Sequence, residues 1–312
     1  MREEELLDGW LPYRIVTGEN GEVKFRWFYA GDKCFTEPFF EETISTCLSL
    51  PENGKGSFPV TGAETLLNVA QRVQSVQPTG FIYHISRCGS TLLTQMLSCD
   101  PECIVLSEVP LLDSLLRLPL KSGVPGTVSV KKLFAAVLTL LGQKKNKNQR
   151  CLFVKTDSWH VLFHDQLAEW YPDAHSFLLF RSPREVAASH ALTPAMHAVP
   201  GLLEPELFGL NADDTVHMRR EEYLEHVLCT YLRKYESILR GHVPATALNY
   251  HSGVWQMMEQ LFAACSYRPG ADVLAVMKQR TTFHSKQPGN IFTGDGDRML
   301  QHDFRDSEKL FC

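Results

Sequence analysis

No apolar run in this chain reaches the ~20 residues that a bilayer-spanning helix requires. No C-x-x-C pair occurs, and the nine cysteines are scattered and odd in number. Neither a zinc site nor a disulfide framework is therefore expected. Reduced, mostly buried thiols in a cytoplasmic protein are the expectation instead. The first residues, Met-Arg-Glu-Glu-Glu, are acidic and precede no signal-peptide core. A surplus of positive charge is also missing: 31 Lys and Arg stand against 36 Asp and Glu, a formal net charge of −5. That argues against a general nucleic-acid binder, whose phosphate contacts need a basic face. No internal repeat stands out, and no His, Cys and carboxylate cluster has metal-ligand spacing, so no metal is expected. What is present is 312 residues, 44% of them hydrophobic, which suits one large domain or one domain with an appendage. Oligomeric state is not legible.

Residues 1–62 differ in texture from the rest. Tyr13–Thr17 and Glu22–Trp27 alternate polar and apolar residues around Asn20-Gly21, which reads as a β-hairpin. Pro51–Pro59 reads as a loop or linker. Phe25, Trp27, Phe28, Tyr29, Phe35, Phe39 and Phe40 make this region rich in aromatics. They pack it onto the main domain, or cover a site, contribute to ligand choice, or form an interface. A main domain is expected over 63–312. There, short apolar segments (Phe81–Ser86, Ile104–Leu106, Cys151–Lys155, Ser176–Phe180 and Ala245–Tyr250) alternate with helical patterns. The helical patterns are Thr91–Ser98, Val130–Leu141, His160–Trp170, Pro183–Ala191 and Arg219–Arg240. In the longest, Tyr223, Leu224, Val227, Leu228, Tyr231 and Ile238 share one face. The alternation predicts an α/β fold, a parallel sheet flanked by helices in three layers. Ligands in such sheets gather at the carboxyl ends of the strands. Lys144–Arg150 reads as a solvated basic loop.

The stretch from Phe81 to Leu93 ends an apolar strand at Ser86, passes through Arg87-Cys88-Gly89, and starts a helix at Ser90-Thr91. Such a turn offers backbone N–H groups and the positive end of a helix dipole to an anion. Arg87 adds a cation, and Ser90 and Thr91 add hydroxyls. The first glycine and the lysine of the common nucleotide loop are absent. Taken alone, the loop also reads as an ordinary turn before a helix. Cys88 lacks the following arginine that a phosphatase nucleophile needs, and reads as a small loop residue.

A second segment carries the same chemistry. The strand ending at Phe180 places Arg181 at the active edge. Ser182, Pro183 and Glu185 read as N-cap, first-turn proline and capping-box acid. Ser189 follows about two turns into the helix, on the side that Arg181 can share. Arg181 alone reads as a surface ion-pair residue. With the anion loop, Arg181 and Ser189 read as a phosphate clamp, because guanidinium and hydroxyl suit a phosphomonoester.

These two segments resemble the sulfotransferase superfamily, whose donor is 3′-phosphoadenosine 5′-phosphosulfate (PAPS) and whose fold is of the P-loop nucleotide-binding type. Arg181 and Ser189 have the family's spacing of eight residues. The loop Ser86-Arg87-Cys88-Gly89-Ser90-Thr91 resembles that of tyrosylprotein sulfotransferases and bacterial relatives. It is less like the lysine-containing loop of the cytosolic enzymes. The resemblance covers roughly residues 78–295. It implies that Ser86 to Thr91 hold the phosphosulfate and that Arg181 and Ser189 hold the 3′-phosphate. It further implies Glu108 as the base, Lys155 at the end of the next strand, and Tyr250 on the adenine side. His284-Ser285-Lys286 resembles a degraded final phosphate loop. Cytosolic relatives place a histidine base where this chain has Asp157, so Asp157 is the alternative base, with His160 and His84 behind it. His84 otherwise reads as structural, and Glu108 otherwise as a helix-start acid before Pro110.

The implied reaction is in-line transfer of a sulfuryl group from PAPS to a hydroxyl, or less readily an amine, with 3′-phosphoadenosine 5′-phosphate (PAP) as product. Arg87 and Lys155 would stabilise developing negative charge while a carboxylate takes the acceptor's proton. The acceptor itself is not legible. Two other functions stay open: an ATP-dependent small-molecule kinase, against which the missing loop lysine counts, and a nucleotide-binding protein without catalysis.

Overall fold

The computed structural model describes residues 3–18, 21–54, 58–120, 129–282 and 302–311. Eight strands lie among them: β1 (Trp10–Thr17), β2 (Val23–Tyr29), β3 (Val60–Gly62), β4 (Gly80–His84), β5 (Cys103–Ser107), β6 (Cys151–Lys155), β7 (His175–Phe180) and β8 (Ala245–Asn249). β1, β2 and β3 form an antiparallel sheet in that order. The other five form a parallel sheet in the order β5-β6-β4-β7-β8. Every residue of β4, β5 and β6 is buried, as expected of strands covered on both faces. The fold is α/β with a separate small N-terminal sheet. No helix among the described residues is long and apolar enough to cross a membrane. No disulfide joins the described cysteines, five of which are buried.

The chain divides into two compact units. One comprises Met1–Thr79 and Thr94–Lys155. Its helices are α1 (Glu3–Leu6), α2 (Phe40–Leu48), α3 (Ala63–Ala70), the end of α4 (Ser90–Leu97), α5 (Pro110–Leu116) and α6 (Val130–Leu141). The expected hairpin is β1 with β2, in register from Trp10 opposite Tyr29 to Thr17 opposite Val23. Asn20 lies outside the described residues. Beyond the expected linker, Val60–Gly62 adds a third strand beside β2, which the sequence pattern does not announce. Trp27 Nε1 donates to Thr61 Oγ1 there at 2.9 Å. Asn53 fastens the return: it accepts from Tyr29 N–H at 2.8 Å and donates to the carbonyls of Tyr29 and Cys47 at 2.8 and 2.7 Å. Phe25, Trp27, Phe28 and Phe40 are fully buried. α6 coincides with its expected span, burying Leu133, Phe134, Val137, Leu140 and Leu141 at the spacing of a helix face. The loop 144–150 is mostly exposed, as expected, but two of its residues turn inward. Lys145 turns inward and donates to Gly31 O at 2.6 Å, and burial pushes its ammonium below the ordinary lysine value. The loop backbone wraps Gln149, whose Oε1 accepts from Lys145 N–H at 2.7 Å.

The second unit comprises Gly80–Leu93 and Thr156–Cys312. It holds α7 (His164–Trp170), α8 (Pro183–Leu192), α9 (Ala212–His217), α10 (Arg220–Arg240), α11 (Val254–Ala264), α12 (Ala271–Arg280) and α13 (Arg305–Phe311). The expected helix from His160 to Trp170 is two pieces: a 3₁₀ segment at Ser158–Phe163, then α7. α10 buries the face that its spacing predicts, and Tyr235 within it donates to Leu179 O at 3.1 Å. β4 and β8 flank β7, with His84 opposite Leu179 and Asn249 opposite Phe180. This register brings the carboxyl ends of the three strands to a common edge.

His164 is buried between Asp165 Oδ1 (3.4 Å from Nδ1) and Ser176 Oγ (3.1 Å from Nε2). Burial lowers its pKa below the usual 6.5, with Asp165 opposing. The unfolded ring takes a proton more readily than the folded one. The corresponding stability is complete above ~6.5 and is lost as pH falls toward the folded value. We expect His164→Gln to reduce the loss of unfolding free energy between pH 7.5 and 5. Denaturant titrations at both pH values measure it, and an unchanged difference would rule His164 out as a source of acid sensitivity.

Candidate active site

Between β4 and α4 the backbone takes a conformation that side chains resist. Ser86 has φ 75° and Arg87 φ 53°, followed by Gly89 at φ 81°. A left-handed non-glycine residue costs roughly 1–2 kcal/mol. Runs of such residues build the concave arrays of N–H groups that hold anions. Three braces offset the strain. His84 Nε2 donates to Thr156 O at 3.0 Å, which leaves Nδ1 as an acceptor for Ser86 N–H and for the Ser158 hydroxyl, each at 3.2 Å. Ile85 N–H donates to Leu179 O at 3.2 Å. Cys88 is fully buried and its thiol also points to Leu179 O, at 3.5 Å, so its side chain faces the backbone of β7. His84 is thus a structural brace. Ser90 and Thr91 are buried at the start of α4. Arg87 Nη2 donates to Thr193 O at 2.6 Å.

The third brace is Arg181, 7% exposed. Its Nη1 donates to Arg87 O at 3.2 Å, its Nη2 to Glu185 Oε1 at 3.1 Å, and its guanidinium lies 4.5 Å from the Tyr250 ring centroid. The two arginine segments, 94 residues apart in sequence, therefore meet within one unit. Glu185 departs from the expected capping box: it pairs with Arg181 and, through Oε2, with His251 Nε2 at 2.7 Å. The N-terminus of α8 begins at Ser182 with Pro183 as expected, but Glu308 of α13 caps it. Glu308 Oε1 accepts from Ser182 Oγ at 2.7 Å and from Arg184 N–H at 2.9 Å. The Arg181–Glu185 spacing of four residues was the available signal for an ion pair. Nothing in the local pattern pointed to Glu308.

Ser189 lies on the buried side of α8. Tyr250 does not end a strand: β8 stops at Asn249, and Tyr250 opens a 3₁₀ turn to Ser252, its ring face against Arg181. Ser285 and Lys286 lie outside the described residues. Asp157 precedes the 3₁₀ segment and exchanges capping contacts with His160, whose Nδ1 accepts from Asp157 N–H at 3.2 Å. Asp157 thus has a local structural task.

In the other unit, β5 and β6 pair with Ser107 opposite Lys155. The register sets Glu108, the next residue, beside the end of β6, where Glu108 N–H donates to Lys155 O at 2.8 Å. Glu108 has φ 51°, a strained value that turns its side chain back. Lys155 Nζ donates to Glu108 Oε1 at 2.6 Å, the lysine side chain wholly buried and the glutamate 22% exposed. The Phe39 ring covers the ammonium, 4.7 Å from its centroid. Phe39 is one of several N-terminal aromatics, and no local pattern ties it to Lys155.

No family model and no curated protein matches this chain. Among solved structures it is similar to the sulfotransferase domain from the curacin biosynthetic pathway, at 16% identity, 76% of this chain, 97% of that one and TM-score 0.46. It is also similar to the sulfotransferase domain of the Synechococcus olefin synthase, at 15%, 77%, 94% and 0.43. A third is a sulfotransferase from Alicyclobacillus acidocaldarius, at 15%, 66%, 93% and 0.40. With TM-scores below 0.5, the functional weight falls on the side chains described above.

Gly89 is the loop residue with least room for change. A Cβ there would meet Tyr250 Cδ2 at 3.1 Å and Cε2 at 3.3 Å, in a backbone that already favours glycine. We expect Gly89→Ala to destabilise the protein by ~1–3 kcal/mol and to weaken anion binding by shifting the ring that supports Arg181. Thermal unfolding with and without PAP measures both, and an unchanged melting temperature would contradict it.

Proposed function

We propose that the protein transfers a sulfuryl group from PAPS to a hydroxyl acceptor, and so acts as a sulfotransferase. The observation that carries this reading is the bond from Arg181 Nη1 to Arg87 O, because it joins the two segments whose residue types suit the two ends of PAPS. The loop 86–91 is assigned the 5′-phosphosulfate: backbone N–H groups and the Ser90 and Thr91 hydroxyls donate to anionic oxygens, and Arg87 contributes charge. Arg181 and Ser189 are assigned the 3′-phosphate. Arg181 is already oriented by Glu185 and Tyr250, so little ordering entropy is lost on binding.

Proton removal is assigned to Glu108. The acceptor oxygen attacks sulfur, the bond from sulfur to the bridging oxygen breaks, its electron pair leaves with PAP, and the acceptor proton passes to Glu108. Protonation neutralises the carboxylate that holds Lys155, and the ammonium's field then acts on the negative charge of the leaving oxygen. Asp157 is not favoured as base, because its capping contacts already engage it. A hydroxyl as acceptor and a cytoplasmic location belong to this proposal also.

PAP should bind without magnesium and more tightly than ATP with magnesium; the reverse order would favour a kinase. We expect Arg181→Ala to weaken PAP binding by ~1.5–3 kcal/mol, measured by calorimetry, and an unchanged affinity would remove the clamp. Glu108→Gln should retain PAP binding and lose turnover. It leaves a buried ammonium without its ionic partner, at a cost of as much as ~3 kcal/mol, so turnover is compared on samples shown to be folded. Near-normal turnover would move the base elsewhere.

A further inference from the structure

The N-terminal region has no part in the reaction as assigned above, yet one of its side chains touches the lysine that pairs with the proposed base. Phe39 stands immediately before α2 in extended backbone, φ −135° and ψ 143°. Its ring centroid is 4.7 Å from Lys155 Nζ, on an ammonium already bonded to Glu108 Oε1 at 2.6 Å. The chain on either side of Phe39 is anchored. Phe40 is 2% exposed and packs edge-on against Phe35. Glu37 accepts from Thr43 Oγ1 at 2.7 Å and pairs with Lys33.

We infer that Phe39 is a positioning residue for Lys155, and that the N-terminal segment thereby forms part of the active site. A lysine ammonium is a point charge on a flexible four-carbon stem. An aromatic face attracts it without carrying a formal charge, so the ring fixes Nζ against Glu108 and leaves its positive charge undiminished. A second carboxylate in that place would fix the lysine and cancel the charge. The ring also excludes water, which would screen the ammonium from any charge developing nearby. The chemical requirement is an aromatic face; an aliphatic side chain of similar bulk would cover Lys155 and fail to hold it.

This inference rests on the proposed reaction for its importance, but its test does not require turnover. Phe39→Leu keeps apolar bulk and removes the ring; Phe39→Tyr keeps the ring. The probe is acetic anhydride at low concentration, and the readout is the acetylation rate of Lys155 in the ligand-free protein, by peptide mass spectrometry against the exposed lysines as internal standards. Melting temperatures show that each variant is folded. We expect slow labelling in the wild type and in Phe39→Tyr, and labelling about fivefold faster or more in Phe39→Leu, in line with loss of a desolvated cation–ring contact. Equal rates in Phe39→Leu and the wild type would overturn the inference, as would a Phe39→Tyr protein that labels as fast as Phe39→Leu. PAP affinity on the same samples separates the two readings. Wild-type protein that fails to bind PAP counts against sulfuryl transfer and leaves the labelling result intact; PAP binding with ring-independent labelling counts against Phe39 alone.

Discussion

The loop after β4 is held in a backbone that its own residues disfavour, and the proposed chemistry depends on that constraint. Two side-chain-bearing residues in left-handed conformation cost roughly 2–4 kcal/mol together. Hydrogen bonds contribute about 1 kcal/mol each. The His84, Leu179 and Arg181 contacts are therefore comparable to the strain they oppose. Their donors and acceptors come from β4, from β7 and from the residue following β7. The loop is thus a consequence of strand register: β4 against β7 sets Leu179 where Ile85 and Cys88 reach it, and sets Arg181 where it reaches Arg87.

The candidate cations of the two units are oriented by three kinds of partner. Arg181 has a carboxylate, a carbonyl and an aromatic face. Arg87 has a carbonyl. Lys155 has a carboxylate and an aromatic face. Carbonyls and rings orient a cation without cancelling its charge, whereas carboxylates do both. The buried Lys155–Glu108 pair adds little net stability, since desolvation offsets the attraction. It fixes where a carboxylate and a cation stand. Glu108 reaches that place through a strained backbone, a pattern common at functional sites.

The expected strands coincide with β6 and differ from β4, β5, β7 and β8 by one or two residues at their ends, and α6 and the buried face of α10 coincide with their patterns. Such features depend on neighbours one to four positions away, which periodicity records. The misreadings have a common cause. Glu185 and Ser182 suit a capping box by local spacing, but His251 and Glu308 compete for them from 66 and 126 positions further along. Lys145 sits in a polar run and is drawn inward by Gly31, 114 positions earlier. β3 is three residues long, too short to carry a period of its own.

Local pattern by itself determined the order of strands and helices, the turn at residues 86–89, and the placing of Arg181, Glu108 and Lys155 at strand ends. Side-chain alternation, glycine and helix-start residues act over a few positions, so the chain's own order encodes them. Only the tertiary structure decided that Arg181 grips Arg87 O, that Tyr250 lies beneath a guanidinium, and that Phe39 covers Lys155. Those contacts join residues dozens of positions apart or more, and they follow from strand register and packing, which no single stretch of sequence specifies.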